Sequence, residues 1–363
     1  NYQTHIRTNL INDIPLNFAM MELYSQASVN ANNNFDSLMI PYRCVVSDVF
    51  SQSAVALKDG GLNEAVRNTL SVPYVYPPVK NRGRFLFDGG LYNNFPVKIM
   101  EDEFKPDIII GCNVSNKNYT EYPFDNDDKL IGQLYLNILI SKSDSSLLSR
   151  KGVYIQPSLK GYSATDFVPV DSLIIKGYEA TNEKMVEIEA MIKRRLIKKN
   201  LDQQRNAFEH KKDPLNFKGI DIEGISTSQK KYVNSVFRYK EIPLSLRSIK
   251  SSYYKLVADD NFETVYPTFQ YDSTEKGYYF KLLVKPERNF KLDIGGNISS
   301  RPIGNAFIGL QYNFFNKNSY TFSANFYSGR FYEATQLKLR MDIPTKVPVF
   351  AELDFTYNHW DYF

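Results

Sequence analysis

From residue 287 onwards, apolar and polar residues alternate with a period of two. Apolar residues alternate strictly with Thr, Ser and Asn in 320–326, and the pattern recurs in 306–314 and 347–358 apart from one Phe in each. Since successive side chains of a strand point to opposite faces, this alternation predicts about four or five long antiparallel strands with one apolar and one polar face.

The aromatic content favours a membrane environment for these strands. The chain has 26 Tyr and 25 Phe, and they crowd toward its C-terminus. Long strands with aromatic ends and short turns, such as 316–318, are typical of outer-membrane β-barrels. A soluble sandwich sheet alternates in the same way, so that fold stays an alternative. Lipid cannot satisfy the edges of an open sheet, so we expect the barrel to continue beyond Phe363, or a second chain to complete it.

The chain before residue 287 predicts two further segments and a linker. Strands alternate with helices up to about residue 205, which indicates an α/β layered domain. Within it we expect strands at 38–49 and 107–114, the second in a parallel sheet and buried on both faces, and helices at 129–148 and 171–201. A β-α-α-β-β order follows, and it predicts a compact α+β unit. The predicted domains are 1–205, a linker at 206–216, 217–286 and 287–363.

A run rich in Lys, Arg, Gln and Asn covers 193–213. It can be a basic patch that faces a membrane, or a solvated helix end that runs into the linker. Its composition favours the second interpretation.

Composition and charge exclude several classes of protein. With 43% hydrophobic and 23% charged residues the chain is globular, and a net charge of +4 is too small to argue for a nucleic-acid partner. No apolar stretch has the length of a membrane helix, and we find no signal peptide after Asn1. Cys44 and Cys112 lie in apolar runs and are predicted to be buried strand thiols. Their spacing predicts no metal site.

One motif contains a candidate catalytic residue. In 85–97 an apolar run ends at Asp88, Gly89 and Gly90 follow, and a helix start with Pro96 comes next. Glycines allow close backbone approach, and an acidic group at a strand end is placed like a catalytic group. An Asp-Gly turn between two elements is the alternative.

Histidine content bears on the type of hydrolase. The three histidines, His5, His210 and His359, lie outside the predicted α/β core, which argues against a Ser-His-Asp triad there. A Ser–Asp dyad needs no histidine, because a carboxylate within hydrogen-bond reach can take the hydroxyl proton.

Four blocks of sequence, 40–48, 65–73, 76–79 and 87–97, resemble the C-terminal half of patatin-like phospholipases. The resemblance implies a Ser–Asp dyad in which Asp88 is the general base. Gly89 and Gly90 complete the family's D-G-[GA] motif. It also implies a lipid acyl ester as substrate, without a cofactor or a metal. Another Asp-Gly-Gly, at 59–61, stands where the family has a hairpin loop.

The order of domains resembles the patatin-like autotransporters of the POTRA-and-barrel superfamily. The implied fold is multidomain: part of an α/β patatin-like domain, an α+β POTRA-like domain, and the start of an antiparallel transmembrane β-barrel. The implied location is the bacterial outer membrane, with the POTRA-like domain in the periplasm and the patatin-like domain periplasmic or surface-exposed. The partners implied are membrane lipid, outer-membrane assembly proteins or a second copy of the chain, and no nucleic acid.

The family's nucleophile motif, G-x-S-x-G, does not occur in the chain. The nearest approach, 161–165, lacks the second glycine and follows Asp88, whereas the family's elbow precedes the aspartate. We therefore expect the serine to lie upstream of Asn1. Two functions remain: a lipid hydrolase with Asp88 as base, or a catalytically inactive outer-membrane assembly or scaffold subunit.

Overall fold

The computed structural model describes most of the chain. The described residues are 11–115, 131, 134, 141, 143, 145–148, 152–159, 162, 169–211, 214–237, 244–259, 261–297, 304–344 and 349–361. The chain divides into two compact units. Unit 1 comprises Asn1–Asp13 with Leu23–Lys212, and unit 2 comprises Ile14–Glu22 with Asp213–Phe363. None of the described helices combines the length and the hydropathy that crossing a membrane requires.

Unit 1 contains helices and two sheets. Helix α1 (Ile14–Asn30) contributes its second half to this unit. The following elements are β1 (Cys44–Asp48), β2 (Ser53–Leu57), α2 (Leu62–Asn68), β3 (Val79–Asn81), β4 (Arg84–Asp88), α3 (Val97–Phe104), β5 (Ile109–Cys112), β6 (Gly152–Ile155), α4 (Val170–Glu183), α5 (Met185–Met191) and α6 (Lys198–Glu209). The larger sheet is antiparallel with the order β2-β1-β4-β3, and β5 pairs with β6 in parallel.

The core of unit 1 lies against the larger sheet. It is formed by buried apolar side chains from β1, β4, α2 and the loop before β1: Phe35, Cys44, Val46, Leu62, Ala65 and Leu86. Val46 and Leu86 come from neighbouring strands, so the alternation of these strands turns one face toward α2. This packing brings the end of β4 into the middle of the unit.

The predicted bounds of one strand and one helix of unit 1 are wrong. The predicted strand at 38–49 begins only at Cys44, because Pro41 cannot donate a ladder hydrogen bond. The predicted long helix at 171–201 is three helices, and residues 192–197 between α5 and α6 are not helical. Like charges three or four positions apart, such as Arg195 and Lys199, disfavour one continuous helix there.

Strand β5 is not buried on both faces. It pairs in parallel with β6, as predicted, but Ile110 and Cys112 are exposed while Gly111 between them is buried. The prediction of a buried Cys112 is therefore wrong, and that of a buried Cys44 is confirmed. The predicted helix at 129–148 lies mostly outside the described residues.

Unit 2 begins with the predicted β-α-α-β-β order. Its elements are β7 (Asn216–Glu223), α7 (Thr227–Phe237), the short β8 (Leu244–Ser245), α8 (Leu246–Val257), β9 (Phe262–Asp272) and β10 (Gly277–Pro286). The sheet order is β8-β7-β10-β9, with β7 parallel to β10 and β9 antiparallel to it. Aromatic side chains fill the space under the helices: the Phe280 ring lies 5.7 Å from that of Phe217 and 5.8 Å from that of Phe237.

A five-stranded antiparallel sheet follows, with strands adjacent in chain order. They are β11 (Phe290–Asn297), β12 (Asn305–Phe315), β13 (Ser319–Gly329), β14 (Tyr332–Ile343) and β15 (Val349–Trp360). The predicted fold class, an α/β region followed by an α+β unit and a long-stranded antiparallel sheet, is thereby confirmed.

The register of this sheet separates two faces. On one face Leu310, Ala324, Leu337 and Phe355 stand in one row across four strands, and most large side chains of this face are exposed. We call it the apolar face. Its exposed members include Leu292, Ile294, Ile308, Leu310, Tyr312, Phe314, Phe322, Phe326, Leu337, Leu339, Leu353, Phe355 and Tyr357.

The opposite face carries ion pairs within β14 and between β14 and β15. Lys338 Nζ lies 3.1 Å from a carboxylate oxygen of Asp354, and Arg340 lies 2.8 Å from Asp342 and 3.8 Å from Glu352. The alternation predicted from the sequence thus places most charged side chains on one face and most aliphatic and aromatic ones on the other, with Phe307, Tyr327 and Phe350 as exceptions on the charged face.

A buried junction joins the β-α-α-β-β element to this sheet. The Tyr232 hydroxyl donates to Asp259, Asn261 donates to the same carboxylate, and the Ser319 hydroxyl donates to Asn261 Oδ1 at 3.0 Å. The Phe315 ring lies 5.6 Å from that of Tyr232, so polar and aromatic contacts reinforce each other. Burial raises the pKa of Asp259.

The first half of α1 packs within unit 2. Phe18 is fully buried, its ring lies 5.1 Å from that of Tyr253 and 6.3 Å from that of Phe280, and the Lys250 ammonium lies over it. Glu22 accepts a hydrogen bond from Lys250 at 2.7 Å. Residues far ahead of 217 therefore complete this core.

The Phe18→Ala substitution tests this contribution. We expect it to destabilise unit 2 by about 3–5 kcal/mol, because it leaves a cavity among aromatic side chains. Hydrogen exchange of the β10 amides measures the loss. Leu23→Ala in the same helix, where Leu23 is 68% exposed, is the matched control and should change little. Equal protection of β10 in both variants would contradict the assignment of Phe18 to this core.

Candidate active site

Asp88 is the last residue of β4. The strand lies between β1 and β3, and Asp88 pairs with Val46 of β1. Its N–H donates to the Ser71 carbonyl at 3.1 Å. Leu86 is buried in the core while Phe85 is exposed, so the strand is anchored two residues before the carboxylate.

A buried arginine holds the loop that receives this hydrogen bond. Arg67 donates to the Ser71 hydroxyl at 2.9 Å and pairs with Asp13 at 2.8 Å. The Arg67 side chain is fully buried, and a buried cation is retained only when its donors are satisfied. Arg67 lies within the block 65–73, but the sequence alone did not indicate this supporting role.

The two glycines after Asp88 are required by close contacts. A Cβ at position 89 would lie 2.4 Å from the Val45 carbonyl oxygen, a backbone atom that cannot move aside. A Cβ at position 90 would lie 3.0 Å from Oδ1 of both Asp88 and Asn94. Only glycine lets the chain turn this close to β1 directly after the aspartate.

The Asp88 carboxylate is partly buried and sparsely hydrogen bonded. Burial raises its pKa, while the Gly90 N–H, which donates to Oδ1 at 2.7 Å, acts in the opposite direction. Within the described residues this is the one hydrogen bond that the side chain makes. The second carboxylate oxygen can therefore accept a proton from an incoming group.

Asp48, at the end of the neighbouring strand β1, has the opposite environment. Desolvation alone would raise its pKa, but hydrogen bonds from Phe50 N, Ser51 N and the Arg84 guanidinium lower it below the ordinary value. The pKa values of these two carboxylates are thus shifted in opposite directions, because Asp48 accepts several hydrogen bonds whereas burial dominates at Asp88.

Three serines from later in the chain surround the glycine turn, and we call them the serine cluster: Ser115, Ser141 and Ser143. Both the N–H and the hydroxyl of Ser141 donate to the Gly90 carbonyl, at 2.6 and 2.9 Å. The Asn94 side-chain amide donates to Ser115 at 3.0 Å and to Ser143 at 3.2 Å. In the part of the chain that the structure describes, none of them hydrogen bonds to Asp88.

Sequence reasoning missed the serine cluster. The available signal was weak: Asn113 and Ser115 directly follow β5, where polar side chains at a strand end collect. Ser141 lies about fifty positions from Gly90, and no local pattern links the two. The cluster fixes the Gly90 backbone, and through it the N–H that contacts Asp88.

The two Asp-Gly-Gly motifs found in the sequence form two separate turns. Asp88, Gly89 and Gly90 form one tight turn, and the role of Asp88 as a base stays a prediction. Asp59 of the other Asp-Gly-Gly forms an ion pair with Arg82, next to Gly60 with a φ of 103°. That motif is a structural turn.

The two histidines that the structure describes lie outside the Asp88 turn. His210 ends α6 and contacts the Asn206 carbonyl, and His359 lies in β15. His5 and Ser163 lie outside the described residues.

Comparison with known proteins finds a family match for one segment of the chain. Residues 26–100, which include the Asp88 turn, match the family model of patatin-like phospholipase. An NTE family protein of Mycobacterium tuberculosis, named as uncharacterised, is 38% identical over 65 residues, 18% of this chain and 11% of that protein. A patatin-like phospholipase domain-containing protein of Caenorhabditis elegans is 21% identical over 180 residues, 42% of this chain and 16% of that protein.

These matches confirm the resemblance for the segment that they cover. Residues 26–100 are patatin-like, as the four sequence blocks predicted. The chain spans only 11% and 16% of the length of these two relatives.

Two solved outer-membrane proteins show a weaker similarity. BamA from Haemophilus ducreyi lacking POTRA domains 1–3 is 16% identical with a TM-score of 0.34, over 40% of this chain and 28% of that chain. CdiB from Acinetobacter baumannii is 10% identical with a TM-score of 0.30, over 72% of this chain and 51% of that chain. These TM-scores are too low to establish a shared fold.

The Gly89→Ala substitution tests the close contact with β1. We expect a loss of about 1–3 kcal/mol or more in unit 1, because the new methyl group collides with the Val45 carbonyl. Hydrogen exchange of the β1 and β4 amides reports the change. The control is Gly177→Ala in α4, where no atom lies within 4 Å of the new Cβ. It should be neutral or gain about 0.5–1 kcal/mol. A neutral Gly89→Ala would refute the contact.

The raised pKa of Asp88 predicts a pH-dependent stability. Below about pH 4 the carboxyl is protonated in folded and unfolded chains, and Asp88→Asn should then match the parent. As the pH rises from the ordinary pKa of the unfolded chain to the raised pKa of the folded one, the parent loses about 1.4 kcal/mol of stability for each unit of elevation, a loss that the Asn variant does not share. The variant should therefore be the more stable at neutral pH. Exchange of the β1 amides against pH measures this difference, and a less stable variant at neutral pH would contradict the prediction.

Proposed function

We propose that this chain is part of an outer-membrane lipid acyl hydrolase of the patatin type. Asp88 is the general base of a Ser–Asp dyad, and the nucleophilic serine lies outside the given chain. The observation that carries the proposal is the Asp88 carboxylate itself. It is held at a strand end inside a patatin-like segment, raised in pKa by burial, with one oxygen bonded to Gly90 N.

The chemistry follows from this placement. The serine oxygen attacks the acyl carbonyl carbon of the lipid ester while Asp88 takes the hydroxyl proton. The alcohol part leaves as a lysolipid and takes up that proton. Asp88 then takes a proton from a water molecule whose oxygen attacks the acyl carbon; the acyl group leaves as a free fatty acid, and the serine oxygen takes the proton back from Asp88. A carboxylate with a raised pKa is a stronger base than an ordinary aspartate, which favours both proton transfers.

The turn is built to hold this carboxylate still. Gly90 N fixes Oδ1, Ser141 fixes the Gly90 carbonyl with two hydrogen bonds, and Ser141 Oγ in turn accepts from Asn94 N at 3.0 Å. A fixed base keeps its free oxygen within reach of the nucleophile, and misplacement by about 1 Å can cost roughly a hundredfold in rate.

Membrane placement is supported by the five-stranded sheet. Its last four strands are 11 or 12 residues long, enough to cross a bilayer when tilted. The apolar face leaves Leu353 73% and Phe355 65% exposed, and lipid is the environment that such a face requires. In the proposed arrangement residues 217–286 form a periplasmic POTRA-like domain. The patatin-like domain is periplasmic or surface-exposed, and outer-membrane assembly proteins or a second copy of the chain are its candidate partners.

The Asp88→Asn substitution in the full-length protein tests the proposed base. We expect kcat/KM for a phospholipid ester to fall by roughly 10²–10⁴-fold, with KM little changed, because the variant binds lipid but cannot take the proton. The matched control is Asp59→Asn, which alters the other Asp-Gly-Gly and should keep parental activity. The measurement is release of fatty acid from phospholipid vesicles.

Two outcomes would reject the proposal. Hydrolysis by Asp88→Asn at the parental rate would remove Asp88 from the mechanism. A full-length protein that neither hydrolyses lipid esters nor reacts with a fluorophosphonate probe would support the alternative of a catalytically inactive assembly or scaffold subunit.

A further inference from the structure

The connection between α5 and α6 carries an unusual concentration of positive charge. Five cations stand within seven residues: Lys193, Arg194, Arg195, Lys198 and Lys199. No acidic residue occurs between Glu189 and Asp202. We call residues 190–201 the basic segment.

The basic segment is not a continuation of helix α5. Helix α5 ends at Met191, Ile192 and Ile197 both have extended backbone angles, and residues 192–197 form a loop before α6 begins. Lys193, Arg194 and Arg195 therefore lie on this loop, and Lys198 and Lys199 lie in the first turn of α6.

The five cations are exposed and have no counter-charge in the described part of the chain. The neighbouring helices do form ion pairs, Lys184 with Glu187 and Arg205 with Asp202. Glu187 and Asp202 thus already have cationic partners, whereas the five cations are exposed and form no ion pair with any residue that the structure describes. An anionic partner would find them without breaking an existing ion pair.

Two aliphatic side chains lie in the middle of these charges. Leu196 and Ile197 are each 67% exposed, between Arg195 and Lys198. Two adjacent exposed aliphatic side chains are unfavourable in a linker that contacts only water. A bilayer interface accommodates both kinds of group, because aliphatic side chains enter the acyl boundary while Lys and Arg meet anionic headgroups.

We propose that the basic segment docks unit 1 onto the surface of an anionic phospholipid bilayer. Leu196 and Ile197 insert, and the five cations contact lipid phosphates. Nucleic acid would match the cations equally well but offers no apolar phase for the aliphatic pair, so the observations favour lipid. The proposal does not depend on the chemistry of Asp88.

A probe at position 196 in the full chain tests the docking. Leu196→Cys is made together with Cys112→Ser, which removes the exposed native thiol, and is labelled with an environment-sensitive fluorophore. A position-specific readout separates the loop from membrane association of the apolar face. The vesicles are pure phosphatidylcholine or phosphatidylcholine mixed with phosphatidylglycerol. The control is the same fluorophore at Lys80→Cys in β3.

We expect emission at position 196 to shift blue and intensify only with phosphatidylglycerol vesicles, and added salt to weaken the response. Replacing the five cations by Gln should abolish it, and Lys198→Gln with Lys199→Gln should weaken partition by roughly tenfold or more. Since these side chains are exposed and unpaired, hydrogen exchange of α5 and α6 should stay parental in the Gln variants.

Four results would overturn the proposal. They are an equal response to both kinds of vesicle, an unchanged response in the five-Gln variant, an equally strong response to a single-stranded RNA, and an apolar environment at position 196 before any vesicle is added. The last result would mean that protein already covers the loop.

Discussion

Position 89 has no room for a side chain, because β1 and the turn after β4 approach each other until only backbone fits between them. A Cβ there would lie 2.4 Å from the Val45 carbonyl oxygen. That contact fixes Asp88 at the end of an inner strand of the sheet, where Gly90 N donates to its carboxylate. The Arg67–Ser71 contact and the serine cluster hold the two sides of this turn in place, so the position of Asp88 follows from this close backbone contact and its supports.

The sheet of unit 2 obeys a different constraint, the sorting of side chains by strand register. Lys338 and Arg340 pair with acidic groups on one face, and Leu337 and Leu339 stand on the other. Exposure of the apolar face to water is unfavourable. In a lipid bilayer the same side chains would contact acyl chains, and the ion pairs would keep the charged groups on the opposite face. The buried contacts around Tyr232 and Asp259 tie this sheet to the preceding β-α-α-β-β element.

Prediction from the sequence worked where structure depends on near neighbours. The period of two gave the strands and their faces, and the motif at 88–90 gave the turn. It failed where the structure depends on contacts between segments that are far apart in the sequence. Cys112 lies in an apolar run yet is exposed, because whether a strand is covered on one face or on both depends on which elements pack over it. The serine cluster escaped notice because Ser141 meets Gly90 only through the fold.

The sequence by itself determined which side chains share a face of each strand, where glycine is needed, and that an acidic group ends an apolar strand. These follow from local geometry, which repeats every two residues. Only the tertiary structure decided that burial raises the pKa of Asp88, that hydrogen bonds lower the pKa of Asp48 on the neighbouring strand, and that Leu196 is exposed among cations. Desolvation and hydrogen bonding depend on groups brought together from far along the chain, and no local pattern specifies them.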